Sequence, residues 1–182
     1  MGWLKIAGAV VGGIAVLLVA SATLSPRSHV AIVKATFARP PDALWQRITD
    51  HAGQPKWRKE LKSSRLLPPR DGRNAFAEET DSGSVEYVVD EAEAPRRYVT
   101  RIASEGLGFS GRWIFDLAPV ADSTGGASVA TTLTITEEGE VESFFFRALS
   151  PLFSKTGTME EYLTALAAEL GAAAVPEVVR AK

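Results

Sequence analysis

Residues 107–117 constrain the fold of this chain more than any other stretch. Their odd positions are Leu107, Phe109, Gly111, Trp113, Phe115 and Leu117, and their even positions are Gly108, Ser110, Arg112, Ile114 and Asp116. A period of two puts these sets on opposite faces of a strand. One face is apolar and aromatic and has to be covered; the other is mostly polar and can meet water. The same alternation recurs along the chain. Residues 30–38, 74–80, 85–89 and 98–102 read as strands, as does the stretch holding Val129, Leu133 and Ile135, and residues 61–67 are a further candidate. Asp71-Gly72 is a hairpin signal, Asp81-Ser82-Gly83 and residues 121–126 read as turns, and Ala94-Pro95 breaks a strand.

Helical periodicity appears in two places beside these strands. Asp42 is positioned to cap a short helix over 43–49, with Leu44, Trp45 and Ile48 on one face, and a loop over 50–55 leads to Trp57. After Gly139 the period changes to that of a helix over 141–153 and 158–170, with Pro151 as a break. Met159, Leu163, Leu166 and Leu170, with Tyr162 and Ala167, trace one apolar stripe that Gly171 ends. A sheet with one apolar face needs a cover, and the last helix is the element long enough to supply it. The expected fold class is therefore α+β: a curved antiparallel sheet of about six to seven strands wrapped on a long C-terminal helix. Residues 1–25 form a separate segment, 26–171 the domain, and 172–182 a flexible tail.

That first segment is charge-free from Ile6 to Ser25. Nineteen residues, 6–24, make a helix of about 28 Å, close to the hydrocarbon thickness of a bilayer. Two readings fit: a single-pass transmembrane anchor, or a signal peptide cleaved after Ala20-Ser21-Ala22. The expected location is the membrane, with the domain on the outer face of the cytoplasmic membrane.

Composition narrows the chemistry. The chain has no Cys and two His, which excludes disulfides, thiolate metal sites and Cys nucleophiles and leaves no multi-His metal centre. Neither a metal nor a cofactor is expected. The net charge is −2, but it is unevenly distributed: residues 1–73 sum to +8 and 74–182 to −10. The basic run Lys56, Arg58, Lys59, Lys62, Arg65, Arg70 and Arg73 reads either as a patch facing anionic headgroups or as a solvated loop and strand. The domain as a whole is not basic, so nucleic acid is not an expected partner. Gly106-Leu-Gly-Phe-Ser-Gly111 matches G-x-G-x-x-G, yet it runs into a strand rather than a helix and offers no helix N-terminus to a phosphate. Asp50-His51 is the one compact acid/base pair, and Glu78 with Arg101 or Arg112 could charge a cavity. No catalytic set is legible.

Three segments together resemble the polyketide cyclase/dehydrase and lipid-transport superfamily, also called START-like or SRPBCC. They are Ala35 through Asp50 followed by Trp57, then Tyr87 through Val99, then Phe109 through Leu117. The resemblance covers about residues 29–171. It departs from the family's usual Tyr-Pro-x-Trp at Gln54-Pro55-Lys56-Trp57. It implies a helix-grip fold with a hydrophobic cavity for a lipid-like or polyaromatic ligand, and no shared catalytic residues. Periodicity by itself shows an aromatic inner face. The expected ligand-binding residues are Trp57, Tyr87, Phe109, Trp113 and Phe115, each weighed against ordinary core packing. The resulting expectation is a membrane-anchored, non-catalytic carrier or sensor of a small hydrophobic molecule or lipid. A cyclase or dehydratase is the alternative, and a protein-interaction module using Phe144-Phe145-Phe146 is the third reading.

Overall fold

The computed structural model describes residues 2–120, 130–152 and 154–181. Eight strands form one antiparallel sheet: β1 (Ser28–Phe37), β2 (Ser63–Arg70), β3 (Arg73–Thr80), β4 (Gly83–Glu93), β5 (Arg97–Ile102), β6 (Phe109–Pro119), β7 (Thr131–Val141) and β8 (Glu177–Ala181). Their spatial order is β2-β3-β4-β5-β6-β7-β1-β8. The eighth strand lies in the expected flexible tail, where β8 pairs with β1 across Val33↔Val178 and Lys34↔Glu177. The β2–β3 hairpin turns at Asp71 and Gly72, with φ of 51° and 75°. Both central residues are thus left-handed, as a two-residue hairpin of matching twist requires. The expected turn at 121–126, the position of Val129 and the end of the expected helix at Phe153 lie outside the described residues.

Helix α2 spans Pro41–Thr49, and its N-cap is Pro40 rather than Asp42. Pro41 sits at the first helical position, where its missing N–H costs nothing, and Asp42 lies in the first turn facing the positive end of the helix. The C-terminal helix is not one long rod. It divides into α3 (Phe144–Leu149), a 3-10 turn over Ser150–Leu152 that contains Pro151, and α4 (Gly157–Glu169). The division falls where Pro151 removes a donor from the helix ladder.

The sheet curls around α4. Phe37, Leu133 and Ile135 from β1 and β7 are fully buried against Met159, Leu163 and Leu166, with Leu44 and Ile48 of α2 closing the end. This is the helix-grip arrangement, with eight strands in place of six to seven.

The membrane span expected at residues 6–24 is not found: among the described residues, no helix is long and apolar enough to cross a membrane. The chain does form helix α1 over Gly2–Leu24, but its C-terminal end is docked on the domain. Ser21 Oγ donates to the Ala148 carbonyl of α3 at 2.8 Å, and Ala22 is buried. Farther along, Ile6, Val10, Val16 and Val19 are exposed. On α3 all three of Phe144, Phe145 and Phe146 are exposed, where the sequence requires only that one be.

Candidate functional site: a cavity under the open half of the sheet

Away from the packed contact with β1 and β7, α4 and the sheet separate around a cavity of about 390 Å³. That volume suits a small ligand. Phe76 and Glu78 come from β3, Tyr87 from β4, and Tyr98, Thr100 and Ile102 from β5. Phe109, Trp113 and Phe115 come from β6, Glu137 from β7 and Tyr162 from α4. The alternation of β6 holds in part: Phe109, Gly111, Trp113 and Phe115 line the cavity, joined by Ser110 and Arg112 of the even set.

The rings are braced. His51, Phe76 and Tyr87 stack nearly parallel, with centroids 3.6 and 5.0 Å apart. Trp113 meets Tyr162 edge-to-face at 5.9 Å, and its indole N–H donates to Glu137 Oε2 at 2.7 Å. The other oxygen of Glu137 lies 2.9 Å from His29 Nε2. Gly139 leaves the space that the His29 ring fills, since a Cβ there would lie 2.2 Å from Cε1 of the imidazole. At the rim, Phe109 contacts Phe146 of α3.

One end of the cavity is charged. Arg58 is 8% exposed and Glu78 9%. Arg58 Nη1 donates to Glu78 Oε1 and to Gln54 Oε1, both at 2.7 Å, while Nε donates to Glu60 Oε1 at 2.7 Å. Gln54 is itself fixed by donating to the Ile48 carbonyl at 2.8 Å. The guanidinium lies over the Tyr162 ring at 5.2 Å. Burial works to lower the Arg58 pKa, but Glu78, Tyr162 and Glu60 outweigh it and hold the charge more firmly than usual. Burial pushes the Glu78 carboxyl up, with Arg58 pulling it back. A guanidinium does not lose its proton, so Arg58 stays charged 2.7 Å from Glu78.

His51 is buried beside this pair. Its Nε2 lies 2.7 Å from Tyr98 Oη, and its Nδ1 has no partner among the described residues. Burial, then the nearby Arg58, lowers its pKa to about 4, so the ring is neutral at physiological pH. Burial likewise pushes the phenols of Tyr87, Tyr98 and Tyr162 up. The Tyr162 hydroxyl is buried without a partner among the described residues.

Of the residues expected from sequence, Tyr87, Phe109, Trp113 and Phe115 meet on the cavity wall, and Trp57 does not. Its ring packs edge-on against Tyr162, outside the lining, and the next residue, Arg58, enters instead. Arg112 lines the mouth, paired with Glu138 at 2.7 Å, while Arg101 is paired with Asp90 and lies off the lining. The residues that sequence reasoning missed are Gln54, Arg58, Tyr98, Glu137 and Tyr162. Nothing local in sequence marks His51 as buried. For Glu78 the signal was its spacing of two from Phe76, which puts both on one face of β3. Among the described residues, no group of His, Asp and Glu is arranged to hold a metal ion.

Residues 29–173 match the family model described as polyketide cyclase/dehydrase and lipid transport. The chain belongs to this family. Solved structures share the fold. The Zhui aromatase/cyclase from a Streptomyces species has a TM-score of 0.65 and 14% identity, over 79% of this chain and 94% of that one. Truncated norcoclaurine synthase from Thalictrum flavum has a TM-score of 0.61 and 12% identity, over 81% and 96%. A START superfamily protein from Mycobacterium smegmatis has a TM-score of 0.57 and 17% identity, over 79% and 97%. Identities this low carry the fold alone. Comparison with curated proteins gives no sequence match.

Proposed function

We propose that this domain binds a small hydrophobic molecule in the cavity under the sheet, as a carrier or sensor. The observation that carries this reading is the cavity itself: about 390 Å³, walled by rings from four strands and α4. Covering a ligand's apolar surface there supplies roughly 25 cal/mol per Å², before the costs of ordering are met. The buried polar groups are engaged mainly with one another, which suits a wall better than a reaction centre. Family membership supports a hydrophobic ligand in general. The reading does not depend on where α1 lies.

Thr100→Phe tests it, because the added ring fills the cavity from β5. Organic extracts of the purified full-length protein and of this variant are compared by mass spectrometry. A compound enriched in the wild type and absent from the folded variant is the expected result. Identical extracts, together with no cavity-sensitive binding of added apolar compounds, would overturn the proposal.

A second reading, chemistry of the cyclase or dehydratase type, has one observation in its favour. The neutral His51 imidazole, hydrogen-bonded to Tyr98, lies in the same cavity as Glu78. A base of this kind is suited to accepting a proton from a bound substrate. If the compound released from the cavity is chemically altered by wild-type protein and not by His51→Gln, the enzymatic reading replaces the carrier.

A further inference from the structure

The charges around the cavity are already committed, and this bears on what it can hold. Arg58 is met by two carboxylates, Glu78 and Glu60, both at 2.7 Å. Arg112 at the mouth is met by Glu138. Beyond these pairs the lining still carries Glu137 and Glu140. Glu137 is shared between His29 and the Trp113 indole, and His51 is neutral. The fixed charge facing a ligand is therefore negative on balance, and neither Arg on the lining lacks a carboxylate partner. An anion entering this space loses its water and meets carboxylates at short range, in surroundings that screen poorly. To gain Arg58 it has to displace a buried carboxylate, which would then be left unpaired.

Neutral polar groups are treated differently. Tyr87 and Thr100 line the cavity, and among the described residues neither hydroxyl has a hydrogen-bond partner. Each can donate to a carbonyl or accept from a hydroxyl. Tyr98, Phe109 and Trp113 present ring edges and faces around them.

We propose that the cavity selects an uncharged molecule and rejects anions such as free fatty acids. This inference rests on the binding function proposed above and narrows its ligand class. It turns on Arg58, whose presence in a cavity would ordinarily signal an anion site.

Two dyes that differ by one charge test it. N-phenyl-1-naphthylamine is neutral; 1-anilinonaphthalene-8-sulfonate is the same skeleton with a sulfonate. Both are titrated by fluorescence into the full-length protein, and only signal lost in Thr100→Phe is assigned to the cavity. The neutral dye is expected to bind roughly tenfold tighter or more, and Glu78→Gln to narrow that gap about tenfold by freeing the Arg58 charge. Glu60→Gln, at a half-exposed position that carries little folding risk, is expected to narrow it in the same direction and by less. If Glu78→Gln does not fold, Glu60→Gln decides. Equal affinity for both dyes in the wild type overturns the charge selection while leaving the binding function standing. So does a gap that neither variant narrows. No cavity-dependent signal from either dye overturns the binding function, and the selection with it.

Discussion

Helix α4 faces two halves of the same sheet, and it fills one and spans the other. Toward β1 and β7, Met159, Leu163 and Leu166 meet Phe37, Leu133 and Ile135, all with almost no exposed surface. Toward β3, β4 and β5, Thr158 and Tyr162 meet a cavity. The two stripes lie about 100° apart on one helix. What separates them is the kind of side chain. Mostly aliphatic side chains, with Phe37 and Met159 among them, interdigitate to interior density. The side chains on the other side are fixed by polar partners: Trp113 by Glu137, Tyr98 by His51, and Arg58 by its two carboxylates. A void of this size persists because its walls are braced by polar contacts, not because the core ran short of residues.

Substitutions on the two sides test that contrast. The largest effect is expected from Arg58→Ala, which strips the brace and leaves Glu78 buried without its cation. Breaking such a pair costs about 3–5 kcal/mol, readable by chemical denaturation. Leu163→Ala on the filled side should cost about 2–5 kcal/mol, because the tight packing cannot collapse into the new space.

His51 provides a pH-dependent version of the test. Its folded pKa is about 4 against 6.5 for the ordinary group. Above pH 6.5 both folded and unfolded chains hold it neutral. As pH falls from 6.5 towards 4 only the unfolded chain takes up the proton, so stability drops, by on the order of 2–3 kcal/mol in all. Glu78, pushed up, acts in the opposite sense, losing stability as pH rises past its ordinary value. The difference between wild type and His51→Gln isolates the histidine; parallel stability curves from pH 7 to 4 would show that it is not buried as described.

The smallest stability effect belongs to Trp113→Ala. Its ring already borders empty space, so its removal should cost about 1–2 kcal/mol, below the usual range for a fully packed Trp. Affinity for the neutral naphthylamine dye should fall about tenfold. A cost equal to that of Leu163→Ala, with affinity unchanged, would place Trp113 in the core and erase the distinction between the halves.

The alternation in residues 107–117 was enough to orient β6, and the apolar stripe through Met159, Leu163 and Leu166 was enough to find the gripping helix. Four of the five aromatic positions read from sequence lie on the cavity wall, because period two reports facing directly. The charged end was not legible. Arg58 follows a 3-10 turn over Gln54–Lys56, and such a turn has no long period to show which side chain points inward. Arg58 also sits in a run of basic residues, where a buried member looks like its solvated neighbours. Its partner Glu78 is twenty residues away, and only the fold joins them. The eighth strand was missed because Glu177–Ala181 is short and gains its pairing from β1.

The sheet does not close into a barrel, and its order leaves β2 and β8 at the ends. An unpaired strand edge is a template for adding further strands from other copies of the chain. The β2 edge carries Pro68 and Pro69 in succession, which have no N–H to offer, and its pairing with β3 shifts register between Leu67 and Arg70. Arg65 adds charge along the same edge, while Arg70 is paired with Glu86. Two missing donors and a shifted register make the far end of this strand a poor template for further pairing, beside the same β3 that carries Phe76 and Glu78 into the cavity wall.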